Sequence, residues 1–230
     1  MANRNLELLK AAAKHLIPVL DELVFVGGCT IGLLISDEAA VGVRPTFDVD
    51  AIAEITSYAD YAIFSERLRE LGFDEDISED APVCRWQQGE IKLDVMPLNE
   101  KILGFSNRWY KSAMETAEEH EIEKNLRIRV ITAPYFCATK LEAFKGRGKG
   151  DYLASHDLED LVTVIDGRPE LLDELRAASE DVRSYIVGTI NELLETDQFL
   201  DALPGYLLPD VASQGRLSIL LTRLRQVSKL

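Results

Sequence analysis

The sequence predicts an α+β protein in which a mixed sheet with flanking helices comes first and an all-helical stretch follows. Three observations carry this expectation. Before residue 133, short β-rich runs such as LVFVGG, TFDVDAIAEI, VCRWQQGEIKLDV and LRIRVITAP alternate with helical periods. After it, PYFCATKLEAFKG, SHDLEDLVTVIDG, PELLDELRAASEDVRSYIVGTINELLE and RLSILLTRLRQVSKL repeat apolar residues at helical spacing. The length of 230 residues, 47% of them apolar, suffices for a buried core in one large domain or two small fused ones. The expected division is residues 1–132, carrying the sheet, and residues 133–230, carrying a helical domain.

In chain order, Leu6 to Leu23 reads as a helix that feeds the strand LVFV, stopped by Gly27 and Gly28. The stretch TIGLLIS leads into a turn over Asp37 to Arg44, and Pro45 introduces the strand TFDVDAIAEI. Tyr58 to Leu71 restores the helical period and ends at Gly72. Val83 to Val95 reads as two strands joined near Gln88 and Gly89. LRIRVITAP is a further strand, closed by Pro134.

Composition narrows the function. A formal charge of −15 argues against gripping long nucleic acid by general electrostatics, which needs a basic surface against phosphates. A small anionic ligand can still bind where a metal and local lysines reverse the sign. Cys29, Cys84 and Cys137 lie far apart without CxxC pairing, so they read as buried free thiols. No apolar run approaches the roughly 20 residues of a membrane span, and charges interrupt the N-terminal stretch. The expectation is therefore a cytoplasmic protein with no membrane partner.

The chemistry concentrates in carboxylates. In Thr46-Phe47-Asp48-Val49-Asp50, a period of two sends Asp48 and Asp50 to one face and Phe47 and Val49 to the other. In Glu90-Ile91-Lys92-Leu93-Asp94-Val95, the same period groups Asp94 with Glu90 and Lys92 and turns the apolar residues inward. If the two strands are neighbours, Asp48, Asp50 and Asp94 converge. Three such acids repel unless a cation lies among them, and hard oxygen ligands suit Mg2+ or Mn2+. That arrangement serves phosphoryl chemistry on a nucleoside triphosphate. A DxD pair alone is more simply a solvated strand face.

Gly27-Gly28-Cys29-Thr30, about 20 residues upstream by the numbering, strengthens the case. It follows a strand and opens a helix, where glycines admit backbone amides to phosphate oxygens and Thr30 can add a hydroxyl. The rival for this segment is an ordinary turn capped by Thr30.

The order FVGGCTIGLLI, RPTFDVDAI, IKLDV and KLEAFKGRGKGDYLASHDLEDL resembles the AbiEii/AbiGii-type nucleotidyltransferase family of the polymerase-beta-like superfamily, over Val24 to Asp166. The resemblance implies a nucleotidyltransferase-type mixed sheet followed by helices. It implies that Gly27, Gly28 and Thr30 bind triphosphate, and that Arg44 and Thr46 lead the metal-binding strand of Asp48 and Asp50. It also implies that Lys140, Ala143, Asp157 and Asp160 complete the site. Many members of the family resemble toxins of toxin–antitoxin or phage-defence systems, and some modify the acceptor end of tRNA. The resemblance thus extends the expected partners to a tRNA acceptor and an antitoxin protein.

Lys140, Lys145, Arg147 and Lys149 gather in an otherwise acidic chain beside Gly146, Gly148 and Gly150. Lys140 is expected to point at the nucleotide, and the others to contact an acceptor or to be solvated at a helix C-terminus. Asp157 and Asp160, at i and i+3, share a helical face, with capping as the rival role for Asp157. His156 reads as surface or capping, and Trp86 and Trp109 as core or cleft wall. Arg216, Arg223, Arg225 and Lys229 read as a solvated helix face that also suits an RNA backbone.

The leading expectation is transfer of a nucleoside monophosphate from NTP to an acceptor hydroxyl, with Asp48, Asp50, Asp94 and Lys140 as the catalytic set. Two alternatives stand beside it. One is a small-molecule, antibiotic-type nucleotidyltransferase, whose cationic acceptor suits the acidic charge. The other is a catalytically silent nucleotide-binding or interaction module.

Overall fold

A computed structural model describes residues 4–40, 42–148 and 150–230. Its backbone divides into two compact units, one of residues 1–32 with 45–132 and one of residues 33–44 with 133–230.

The first unit opens with α1 (Arg4–His15). The helix expected to reach Leu23 stops there, because Pro18 lacks an amide donor and starts a tighter 3-10 turn over Ile17–Glu22. β1 (Leu23–Val26) is buried at every position, as its unbroken apolar run requires of a central strand. After the Gly28–Thr30 turn the chain leaves this unit within α2 (Ile31–Leu34) and returns to it ahead of β2 (Val49–Ala53).

α3 (Tyr58–Glu70) begins at a capping box, in which Ser57 Oγ accepts from Asp60 N and Asp60 Oδ2 accepts from Ser57 N. β3 (Asp74–Glu75), β4 (Arg85–Gln88) and β5 (Ile91–Pro97) follow. Gly89, at φ 58°, makes the short connection between β4 and β5. α4 (Glu100–Leu103) and α5 (Tyr110–Glu115) lead to the hairpin of β6 (Glu118–Glu123) and β7 (Leu126–Val130). β7 is the strand expected in LRIRVITAP, and it alternates, with Leu126, Ile128 and Val130 buried. β6 was not foreseen, because the acid-rich EEHEIE carries one buried apolar residue, Ile122, and lies at the sheet edge.

The seven strands form one mixed sheet in the order β3-β4-β5-β2-β1-β7-β6. β2 runs antiparallel to β1 and parallel to β5, and β1 runs parallel to β7. Phe25, Ile52, Leu93 and Val130 are among the buried side chains at its centre.

In the second unit, α6 (Ala133–Arg147) has Pro134 in its first turn, so the proline expected to close a strand also opens a helix. α7 (His156–Gly167) is capped by Ser155, whose Oγ accepts from Leu158 N. The long helix expected from Pro169 onward divides at Ser179 into α8 (Leu171–Ala177) and α9 (Glu180–Leu194). α10 (Asp197–Ala202), α11 (Val211–Gly215) and α12 (Leu217–Val227) complete the unit. Phe136, Leu141, Leu161, Ile165, Ile186, Ile190 and Leu224 are buried in it.

The segment 33–44 belongs to this helical unit through specific bonds. Ser36 N and Asp37 N both donate to Gly167 O at 3.0 Å. Arg216 donates to Asp166 Oδ2 and to Asp37 Oδ2, each at 2.7 Å. Arg216 and Arg223 are therefore internal struts, not members of a solvated basic face. Among the described residues, no helix is long and apolar enough to cross a membrane.

Candidate active site

The three acids lie on β2, on β5 and just ahead of β2, which runs between β1 and β5. The parallel register pairs Asp50 with Asp94, and the antiparallel register of β1 pairs Asp50 with Val26, next to Gly27. Asp50 therefore stands beside both the second acid strand and the glycine turn. Gly27 has φ 69°, and a Cβ there would come within 2.0 Å of Asp50 Oδ2. Glycine is thus required twice, by the backbone and by the neighbouring carboxylate.

Asp48 precedes the ladder and is oriented by its neighbours. Thr46 Oγ1 donates to Asp48 Oδ1 at 2.7 Å, and Arg85 Nη2 donates to Asp48 Oδ2 at 2.8 Å. The same guanidinium grips Asp94 with two bonds, from Nε to Oδ1 at 2.7 Å and from Nη2 to Oδ2 at 2.8 Å. Asp94, expected on an exposed face with Glu90 and Lys92, is instead buried beneath this arginine, while Lys92 is exposed. The Asp94 hydrogen bond raises the pKa of Arg85 above its ordinary value, and burial opposes it. Cys84, next along the chain, is pushed up to about 12 by burial and then by the charges of Asp94 and Asp50.

Among the described residues, no group of three or more His, Cys, Asp or Glu side chains is arranged as a set of metal ligands. The donor chemistry nevertheless fits a hard cation. Two of the acids already share one positive charge, and all of the oxygens concerned are carboxylate oxygens.

The glycine turn is held from behind by Asn5, a buried residue of α1 that sequence reasoning passed over. Its Oδ1 accepts from Thr46 N at 3.0 Å and its Nδ2 donates to Gly28 O at 3.4 Å. Thr30 is fully buried, and its hydroxyl donates to Gly27 O at 2.8 Å, so it braces the turn. Phe47 corrects the expectation that it turns inward with Val49. It is 65% exposed, because strand pairing begins only at Val49, and the guanidinium of Arg4 lies over its ring.

The remaining candidate residues come together in the second unit as an ion-pair network. Lys140 Nζ donates to Asp160 Oδ2 at 2.6 Å and to Asp157 Oδ1 at 3.3 Å. Arg44 pairs with Asp160 at 3.5 Å and with Glu159 at 3.2 Å, and Arg147 makes two 2.9 Å bonds to Asp157. Burial raises the Asp157 carboxyl, but the Arg147 bond and the Lys140 charge outweigh it and hold the group below its ordinary value. Ser155, not Asp157, caps α7. Lys145 pairs with Glu192, while Lys149 lies outside the described residues. Trp86 and Trp109 are buried, and His156 is exposed beside Glu159.

Arg85 was also missed, although a signal existed. A hairpin that turns at Gly89 and pairs Gln88 with Ile91 must pair Arg85 with Asp94, and antiparallel partners point to the same face.

The sequence matches no protein-family model and no curated protein. Among solved structures, it is similar to an antigenic nucleotidyltransferase-like protein from Paracoccidioides brasiliensis. That similarity covers 88% of this chain and 93% of the other, with a TM-score of 0.51 and 16% identity. The chain thus has a nucleotidyltransferase-like fold, with a seven-strand mixed sheet and many helices.

Proposed function

We propose that the protein is a metal-dependent nucleotidyltransferase, moving a nucleoside monophosphate from an NTP to an acceptor hydroxyl. One observation carries this reading: Asp50 and Asp94 are register partners on adjacent strands, with Asp48 bridged to Asp94 by Arg85 and the Gly27 turn against Asp50. Mg2+ or Mn2+, held by Asp48, Asp50 and Asp94, would supply the charge that offsets the triphosphate and acidifies the attacking hydroxyl. The Gly27-Gly28 backbone receives the phosphates, Thr46 aims Asp48, and Asp94 takes the proton of the acceptor hydroxyl. The hydroxyl oxygen bonds to the α-phosphorus as the bond to the β-phosphate bridge breaks, and pyrophosphate leaves.

The resemblance to AbiEii/AbiGii-type proteins supports a tRNA acceptor and a toxin role with a neutralising antitoxin. Under that reading, expression arrests growth and the labelled product is tRNA. The net charge of −15 favours, as a second acceptor class, a cationic small molecule. Incubation with α-labelled NTPs, Mg2+ and either acceptor class tests the reaction. Asp48→Ala is expected to abolish label transfer while its circular dichroism stays unchanged, and undiminished transfer by that variant would refute the mechanism. Binding of triphosphate by the intact chain without product would instead support a silent nucleotide-binding module.

A further inference from the structure

Arg85 contributes a permanent cation to the place where the proposed chemistry requires one. Its guanidinium takes Asp48 Oδ2 and both oxygens of Asp94, and its side chain is only 15% exposed. A divalent ion would draw on the same carboxylates and carries the same sign of charge, so ion and guanidinium repel and each weakens the other's hold there.

The two contacts are unequal. Asp94 is gripped through two parallel bonds, with a side chain only 9% exposed. Asp48 is held through one bond, with a side chain 32% exposed. The Asp48 bond is therefore the one that yields, while the fork keeps the arginine on Asp94, where each oxygen retains a second lone pair for the ion.

We propose that Arg85 is an internal counter-cation that competes with the divalent metal for Asp48 and thereby couples metal entry to triphosphate binding. The inference rests on the nucleotidyltransferase reading above and adds a positioning residue to it. Without nucleotide, Arg85 neutralises Asp48 and Asp94 and keeps metal affinity low. A triphosphate brings further oxygen ligands and negative charge, which favour the ion and offer the released Nη2 a new acceptor.

Mn2+ binding, read as loss of the free-ion signal in electron paramagnetic resonance, tests this in the wild type, Arg85→Gln and Arg85→Lys. Without nucleotide, Arg85→Gln is expected to bind Mn2+ roughly tenfold or more tighter than the wild type, because a screened but close like charge is gone. Arg85→Lys is expected between the two, keeping the charge without the fork. In the wild type, a nonhydrolysable triphosphate should tighten Mn2+ binding beyond the analogue's own chelation measured without protein, and it should do so less in Arg85→Gln.

Should Arg85→Gln fail to fold, the Arg85 Nε–H resonance of the wild type, assigned by its loss in Arg85→Lys, must shift as Mg2+ and the triphosphate analogue bind. Equal Mn2+ affinity in all three proteins, weaker binding by a folded Arg85→Gln, or an unmoved Nε resonance at saturating Mg2+ overturns the inference and leaves nucleotidyl transfer intact. Absence of Mn2+ binding in every form, without triphosphate and beyond the analogue's own chelation with it, overturns both.

Discussion

Gly27 and Asp50 approach so closely that a methyl group on the glycine would overlap the carboxylate, 2.0 Å from Oδ2 and 3.0 Å from Cβ. The turn that ends β1 and the acid on β2 are thus built as one piece. Cross-strand pairing of Val26 with Asp50 makes the contact unavoidable.

Replacing Gly27 with Ala should harm both stability and binding. A backbone at φ 69° and ψ −167° is open essentially to glycine alone and costs an L-residue about 1–3 kcal/mol, before Asp50 is displaced. A melting temperature lower by several degrees and loss of Mn2+ binding are expected, measured by calorimetry and titration. A fully stable Gly27→Ala protein with intact Mn2+ binding contradicts this account of the turn.

Asn5→Ala removes the buried amide that joins Thr46 N to the Gly28 carbonyl. Leaving buried polar groups without that partner is expected to cost about 1–3 kcal/mol. Urea denaturation measures the cost. Because Thr46 aims Asp48, label transfer should fall along with stability, and a change in neither quantity counts against Asn5 as a strut.

Lys140→Met leaves Asp157 and Asp160, whose side chains are 8% and 2% exposed, without the ammonium between them. Arg147 still holds Asp157 and Arg44 still pairs with Asp160, so loss of the charged hydrogen bonds of Lys140 predicts a decrease of about 1.5–3 kcal/mol in the denaturation free energy at neutral pH. A loss well below 1 kcal/mol would mean that Arg44 and Arg147 suffice.

The lowered pKa of Asp157 fixes the sign of its pH effect. Folded protein holds the ionised form more tightly than unfolded chain. The stability so contributed is complete above the unfolded value of about 3.9 and is lost as pH falls through the depressed folded value. Asp157→Asn should therefore flatten the acid limb of the stability curve, and an unchanged limb would place the acid sensitivity elsewhere.

Cys84 and Cys137 are pushed up to about 12, chiefly by burial, and Cys29 is buried as well. Ellman's reagent at pH 8 is expected to find these thiols unreactive in the native protein and all three reactive in guanidinium. Rapid native modification of any one would show that its pocket opens.

How far the site was legible depends on which distance along the chain had to be bridged. Local spacing exposed the acids at 48, 50 and 94 and the paired glycines, because period-two alternation and turn chemistry act over a few residues. Arg85 was equally local, nine residues from Asp94 by numbering across one hairpin. It needed the turn register to be followed through. Asn5 carried no signal, since a lone asparagine within a helical period says nothing about a strand end 41 positions away in sequence.

From the chain alone came the alternation of strands with helices, the helical second half and the acids that gather on two strands. These depend on backbone periodicity, which each segment carries within itself. Tertiary packing alone set β2 between β1 and β5, brought Asp50 level with Asp94, buried Asp94 under Arg85 and left Phe47 outside the ladder. A parallel register has no turn to specify it, so only the joint burial of both strands decides which residues stand side by side.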